Sequence, residues 1–139
     1  MKRRSPRESG AVAVEFALVL PIFLVLVLGI AEFSRAFNIQ VSLSEAGREA
    51  SRYAAIHCSE STYNASSAQD AGVAAAPSVS LTRTNITITY SGTGTCDPAN
   101  NAVATVSYTT SWMTGFPALI PGMPSSLSIA GTGVMRCGG

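Results

Sequence analysis

Few residues in this 139-residue chain have the type and spacing to do chemistry, and the first of them is a carboxylate in apolar surroundings. Glu15 lies inside SGAVAVEFALVLPIFLVLVLGIAEFSRA, residues 9–36, among aliphatic neighbours. Within a bilayer span a charged side chain costs on the order of 2.5–3.5 kcal/mol at the centre, and less near an interface. Either Glu15 sits at the headgroup boundary, tolerated there by snorkelling, or a counter-charge compensates it. Cleavage between Gly10 and Ala11 would supply one. Ala11 would then carry a new ammonium, and Glu15 would be the fifth residue, one turn from a helix N-terminus that favours an anion. A neighbouring copy shifted along the membrane normal would offer its own Ala11 ammonium to this Glu15. Such a pair in low dielectric forms only when subunits stack, so the carboxylate would set assembly register.

Three thiols follow, Cys58, Cys96 and Cys137, all beyond the apolar stretch. On an exported side two can pair and one is left over. Cys58 with Cys96 is the favoured disulfide, because both flank predicted loops while Cys137 sits in a Gly-rich tail; three unpaired thiols are the alternative. His57 is the single histidine, and although Cys58 adjoins it, sequence neighbours point apart on a helix, which disfavours a Cys and His catalytic pair. One His and three widely separated Cys lack metal-ligand spacing, so neither a metal nor a cofactor is expected. SGTGT at 91–95 lacks the Lys of a phosphate loop and reads as a hairpin turn. CDPANN, with Asp97, Asn100 and Asn101, has the residues of a tight turn rather than of a calcium loop. Asn64 and Asn85 match a glycosylation pattern that short sequences meet by chance, and Asn85 reads as the start of a strand. No nucleophile has a visible base, and the chain is not read as an enzyme.

The elements that must position these residues begin with the apolar stretch itself. From Ala11 to Ala31 it is interrupted only by Glu15, Pro21 and Gly29, and it spans roughly 30 Å as a helix, the thickness of a hydrocarbon core. Lys2, Arg3, Arg4 and Arg7 precede it and only Arg35 closely follows, which puts the N-terminus in the cytoplasm and the rest outside. A cleaved secretory signal is the rival, but the core exceeds the usual ~7–15 residues and no small-x-small cleavage site follows. Beyond the span, Ala36, Ile39, Leu43, Ala46, Ala50 and Tyr53 recur at alternating three- and four-residue spacing, an amphipathic continuation to about Ile56. Its apolar stripe packs on the chain's own sheet, along neighbouring helices of the same kind, or on both over different arcs.

A second helix is expected over Ser66–Ala76, with Ser66 or Ser67 as N-cap and Pro77 as the stop. Three strands are expected from Asn85, Ala102 and Ser126, each with β-branched alternation. Between the last two, residues 111–126 combine Pro117, Pro121 and Pro124 with Trp112, Phe116, Leu119, Ile120 and Met123. That apolar loop either folds back over the domain or offers a contact patch to another subunit or to the membrane surface. The expected organisation is a leader over 1–10, a transmembrane helix over 11–31, its amphipathic continuation over 32–57 and an extracytoplasmic α+β domain over 58–139. Charged residues make up only 12% of the chain and the net charge is +1, too weak a field for a nucleic-acid partner.

Gly10, four small apolar residues, Glu15 and Phe16, all behind a short basic leader, resemble the type IV prepilin cleavage signal. The longer GAVAVEFALVLPIFLVLVLGIAEFSRA, with SEAGREASRYAA after it, resembles the TadE-like family, minor pseudopilins of the tight-adherence (Flp, type IVc) pilus. The resemblance covers residues 10 to about 55. It implies processing after Gly10 by a dedicated prepilin peptidase, residence in the cytoplasmic membrane, other pilin or pseudopilin subunits as partners, and a non-enzymatic part in pilus assembly. It also implies a ladle-shaped α+β fold, a long N-terminal helix whose far half packs on a small antiparallel sheet. The runner-up is an uncut single-span protein with a ligand-binding or adhesive outer domain.

Overall fold

The computed structural model describes residues 6–115 and 121–138, and residues 6–9 by their backbone alone. Most of the expected basic leader, residues 1–5, lies outside the described residues, as do Phe116, Pro117, Leu119 and Ile120 of the expected apolar loop.

A run of aliphatic side chains with no water to satisfy its backbone must close its hydrogen bonds internally, and a helix does so. The result is α1 (Pro6–His57), 52 residues long with Pro21 inside it. Its most apolar 18-residue window has a mean hydropathy of 2.8 and is not buried within the chain, so it is long and apolar enough to cross a membrane. Two compact units divide between Ser34 and Arg35. The first holds the apolar half of α1, where Leu18, Ile22 and Phe33 are exposed.

The second unit begins with the remainder of α1 and carries every later element. On this part of α1 the expected stripe is the buried one: Ile39, Leu43, Ala46 and Ala50 are buried, with Ala36 and Tyr53 half-buried. Burial also takes in Gly47, Ser51, Ala54 and Ala55, a wider arc than the spacing alone marks out. After α1 comes α2 (Ala65–Ala75), whose N-cap is Asn64 rather than Ser66 or Ser67. The Asn64 side-chain oxygen accepts from the Ser66 N–H at 3.1 Å, as an Asx cap does. The helix ends at Ala76, before Pro77.

Three strands follow, β1 (Ile86–Tyr90), β2 (Asn101–Ser111) and β3 (Ser126–Arg136), in one antiparallel sheet of order β1-β2-β3. Ile86 pairs with Val106, and Ile129 with Tyr108. The class is therefore α+β, as read from the sequence. Asn85 closes a single 3-10 turn, Arg83–Asn85, just before β1. Its side chain accepts from the Thr82 N–H at 2.9 Å and donates to the Ser107 carbonyl at 3.0 Å.

One core joins Leu43, Ala46 and Ala50 of α1 to Ile86, Ala104, Val106 and Ile129 of the sheet. The backbone of β3 lies directly on α1. A methyl group added at Gly131 would fall inside the contact radius of the Leu43 backbone, and one at Gly133 would overlap the backbone of Gly47. Side-chain amides tie the outer strands to the helices: Gln40 donates to the Ala130 carbonyl of β3 at 2.9 Å, and Gln69 of α2 donates to the Ile86 carbonyl of β1 at 2.8 Å. On the surface, Arg83 grips both oxygens of Asp70 at 2.5 and 2.6 Å, and these hydrogen bonds hold the Asp70 carboxyl below its ordinary range. Arg52 lowers Glu49 in the same way, with contacts of 2.9 and 2.6 Å.

Because β3 cannot be pushed off α1 without opening this core, Gly133→Ala should cost about 1–3 kcal/mol, the range for overpacking. Urea unfolding of the full chain in detergent, followed by fluorescence of Trp112, the single tryptophan, reads the loss as a lowered midpoint.

Candidate functional site

Gly10, Ala11, Glu15 and Phe16 all lie on α1, within the first unit. Gly10 and Ala11 fall inside the helix, which begins at Pro6. A methyl group built on Gly10 meets nothing, so no packing among the described residues calls for glycine there. Glu15 is exposed, and with Val12, Phe16 and Val19 it lines one shallow surface depression. Phe16 is 63% exposed. A second acidic residue of this unit, Glu32, behaves differently, since it is buried.

In the second unit, Cys58 and Cys96 form a disulfide with Cα atoms 6.0 Å apart, within the usual span for such a bridge. It ties the turn after α1 to the loop between β1 and β2. Cys137 is a free, buried thiol, and the three sulfur atoms lie within 4.8 Å of one another. Chain separations along the sequence gave no sign of this meeting. The thiols sit in a second apolar cluster with Ala54, Ala55, Ala68 and Ala102, edged by Tyr53, Tyr63 and Tyr90. There the Tyr90 hydroxyl donates to the Tyr63 hydroxyl at 3.0 Å, and burial raises the Tyr63 phenol well above its ordinary range.

Residues 91–100, which carry Cys96, are organised by Asn100. Its buried amide donates to Thr93 Oγ1 and to the Thr95 carbonyl, both at 2.8 Å. Gly92, at φ 66°, passes so close to the Asn100 side chain that no larger residue fits. The tight-turn reading of CDPANN thus describes the work Asn100 does. His57 stacks on Tyr53 with ring centroids 4.2 Å apart, and its Nδ1 lies 3.0 Å from the Tyr53 carbonyl oxygen.

The profile of the TadE-like protein family matches residues 10–52. This segment is TadE-like. No curated protein and no solved structure matches the chain. The TadE-like segment runs along α1 from Gly10 to Arg52 and includes Gly10, Ala11, Glu15 and Phe16; the cysteines, α2 and the sheet lie beyond it. It points to a protein related to the Tad pilus. Within it, sequence reasoning treated Arg35 only as a flanking charge. The structure gives Arg35 a second role, because its guanidinium donates to the Ser111 carbonyl at 3.0 Å and to Thr110 Oγ1 at 2.9 Å, gripping the end of β2. Next to that grip, Trp112 Nε1 donates to the Pro124 carbonyl at 2.9 Å, pinning the two ends of the apolar loop together, while Met113 is 65% exposed.

A disulfide with a sequence separation of 38 removes loop-closure entropy worth up to about 4 kcal/mol from the unfolded chain. Reduction of the full chain in detergent should therefore lower its urea midpoint and, by freeing the unfolded chain to expand, steepen the slope, again read at Trp112.

Proposed function

We propose that this chain is the precursor of a minor pseudopilin of a tight-adherence pilus, anchored by α1 in the cytoplasmic membrane and not itself an enzyme. A prepilin peptidase cuts after Gly10 on the cytoplasmic side, and residues 35–138 face outward, in the orientation favoured by Lys2, Arg3, Arg4 and Arg7. Other pilin or pseudopilin subunits are its partners. The observation that carries this reading is an exposed Glu15 in the apolar, TadE-like half of α1, five residues beyond a glycine that no packing among the described residues requires.

The mechanism is a matter of charge and solvent. Cleavage frees an ammonium on Ala11 at the start of α1. Glu15 then lies one turn in, where the helix N-terminus favours a negative charge. In the lipid-facing environment a lone carboxylate is costly, and the ammonium of a neighbouring subunit, offset along the membrane normal, relieves that cost. Phe16 and Val12 flank the carboxylate and supply the apolar contact that excludes water from the pair. Attraction in low dielectric is strong only at short range and in one offset, so it selects register as well as affinity.

Mass spectrometry of the chain extracted from membranes of cells carrying the matching peptidase should find it beginning at Ala11. An intact leader would refute the proposed processing. Glu15→Ala should insert into the membrane as well as the parent, or better, and lose about tenfold or more in co-assembly with partner subunits, the equivalent of ~1.4 kcal/mol. Normal incorporation of that variant would rule out the register role.

A further inference from the structure

We propose that Cys58, Cys96 and Cys137 form an internal thiol–disulfide exchange site, in which the Cys137 thiol displaces Cys96 from its bond with Cys58 and turns Cys96 into a latent modification site on the surface. The placement of the tail against α1 supports this direction of attack. Cys137 directly follows β3 and is only 2% exposed. Its N–H donates to the Asn100 carbonyl at 3.0 Å, and the next N–H, of Gly138, donates to the Ala55 carbonyl at 3.2 Å. Cys58 Sγ lies 3.5 Å from that same Ala55 oxygen. The tail bearing Cys137 is thus pinned to the last turn of α1 at the spot where Cys58 sits, and all three sulfurs are within 4.8 Å.

The step balances without an external oxidant or reductant. Cys137 gives up its proton to solvent, and the thiolate attacks Cys58 Sγ. The Cys58–Cys96 bond breaks as Cys58–Cys137 forms, and Cys96 leaves as a thiolate that takes a proton back from solvent. One disulfide replaces another. Cys96 is the leaving group because the tail is tied to Ala55, beside Cys58, so that attack falls on Cys58 Sγ and expels the other sulfur of the bond.

Exchange alters two things at once. It moves the covalent tie from the 91–100 loop to the C-terminal tail, and it trades a buried thiol for one on a half-buried residue. A thiol at Cys96 can react with small soft electrophiles and disulfides that cannot reach Cys137. The site is independent of the pilus reading, since none of the three cysteines belongs to the TadE-like segment.

The test uses the full chain in detergent, purified without reductant and incubated with N-ethylmaleimide near the ordinary thiol pKa of about 8.5. Peptide mapping under non-reducing conditions then locates adduct and disulfide. Alkylation drains the exchanged form, so the expected products are maleimide on Cys96 and a Cys58–Cys137 peptide, with the Cys96 adduct severalfold more abundant than the Cys137 adduct. Cys137→Ser should abolish the Cys96 adduct and keep the Cys58–Cys96 peptide. Adduct confined to Cys137 with only Cys58–Cys96 present, or no adduct at all, would overturn the proposal, as would a Cys96 adduct that survives in Cys137→Ser. Maleimide on Cys58 with a Cys96–Cys137 peptide would overturn the assigned direction. The map of the unsubstituted chain decides the matter even if the serine variant fails to fold.

Discussion

The second unit depends on backbone lying against backbone. Gly131 and Gly133 of β3 meet α1 at Leu43 and Gly47 with no side chain between them, so the sheet sits closer to the helix than a layer of side chains allows. Dispersion attraction falls steeply with separation, and this closeness suits the small residues Ala46, Ala50 and Ala104 set among the aliphatic side chains of the core. Leu43, Ile86 and Val106 are the largest apolar side chains that are fully buried, and Ile39, Val79, Leu81 and Ile129 are buried beside them. The second cluster, built of Ala54, Ala55, Ala68 and Ala102, buries modest apolar area, which raises the share of its stability that the cross-link between Cys58 and Cys96 contributes.

In the polar half of α1 the acids pair with arginines on the helix itself, whereas Glu15 has no such neighbour. In the polar half, Glu45 lies 3.6 Å from Arg48 and Glu49 is bound by Arg52, each pair one turn apart and each open to water. Around Glu15 the positions at the same spacings hold Ala11, Val12, Leu18 and Val19, none of which carries a side-chain charge. Any complement to Glu15 at those spacings must therefore come from a chain terminus or from a neighbour. Glu15 thus has no charged side chain at the spacings that pair the acids of the polar half.

Much of the architecture was legible in the sequence because it is written in periodicity. The Ile39, Leu43, Ala46, Ala50 stripe and the alternation through Ile86, Ile88 and Tyr90 each follow from one buried face, and burial agrees with them. The cap of α2 was missed by two or three residues, since Asn64, Ser66 and Ser67 all have capping side chains and backbone geometry chooses among them. Glycine in a strand reads as weakness, so the role of Gly131 and Gly133 emerged only when α1 was seen opposite them. The meeting of Cys137 with Cys58 and Cys96 was illegible for a related reason: separation along the chain carries no measure of distance between the end of β3 and the end of α1. Glu15 could be singled out from sequence because its oddness is one of composition.

Among the described residues β2 alone is flanked on both sides, so β1 and β3 each present a border open to a foreign strand. Gln69 and Gln40 occupy one main-chain oxygen on each of those borders. A strand arriving from another molecule must first evict an amide that belongs to this one. Growth by sheet extension is thereby discouraged at both margins.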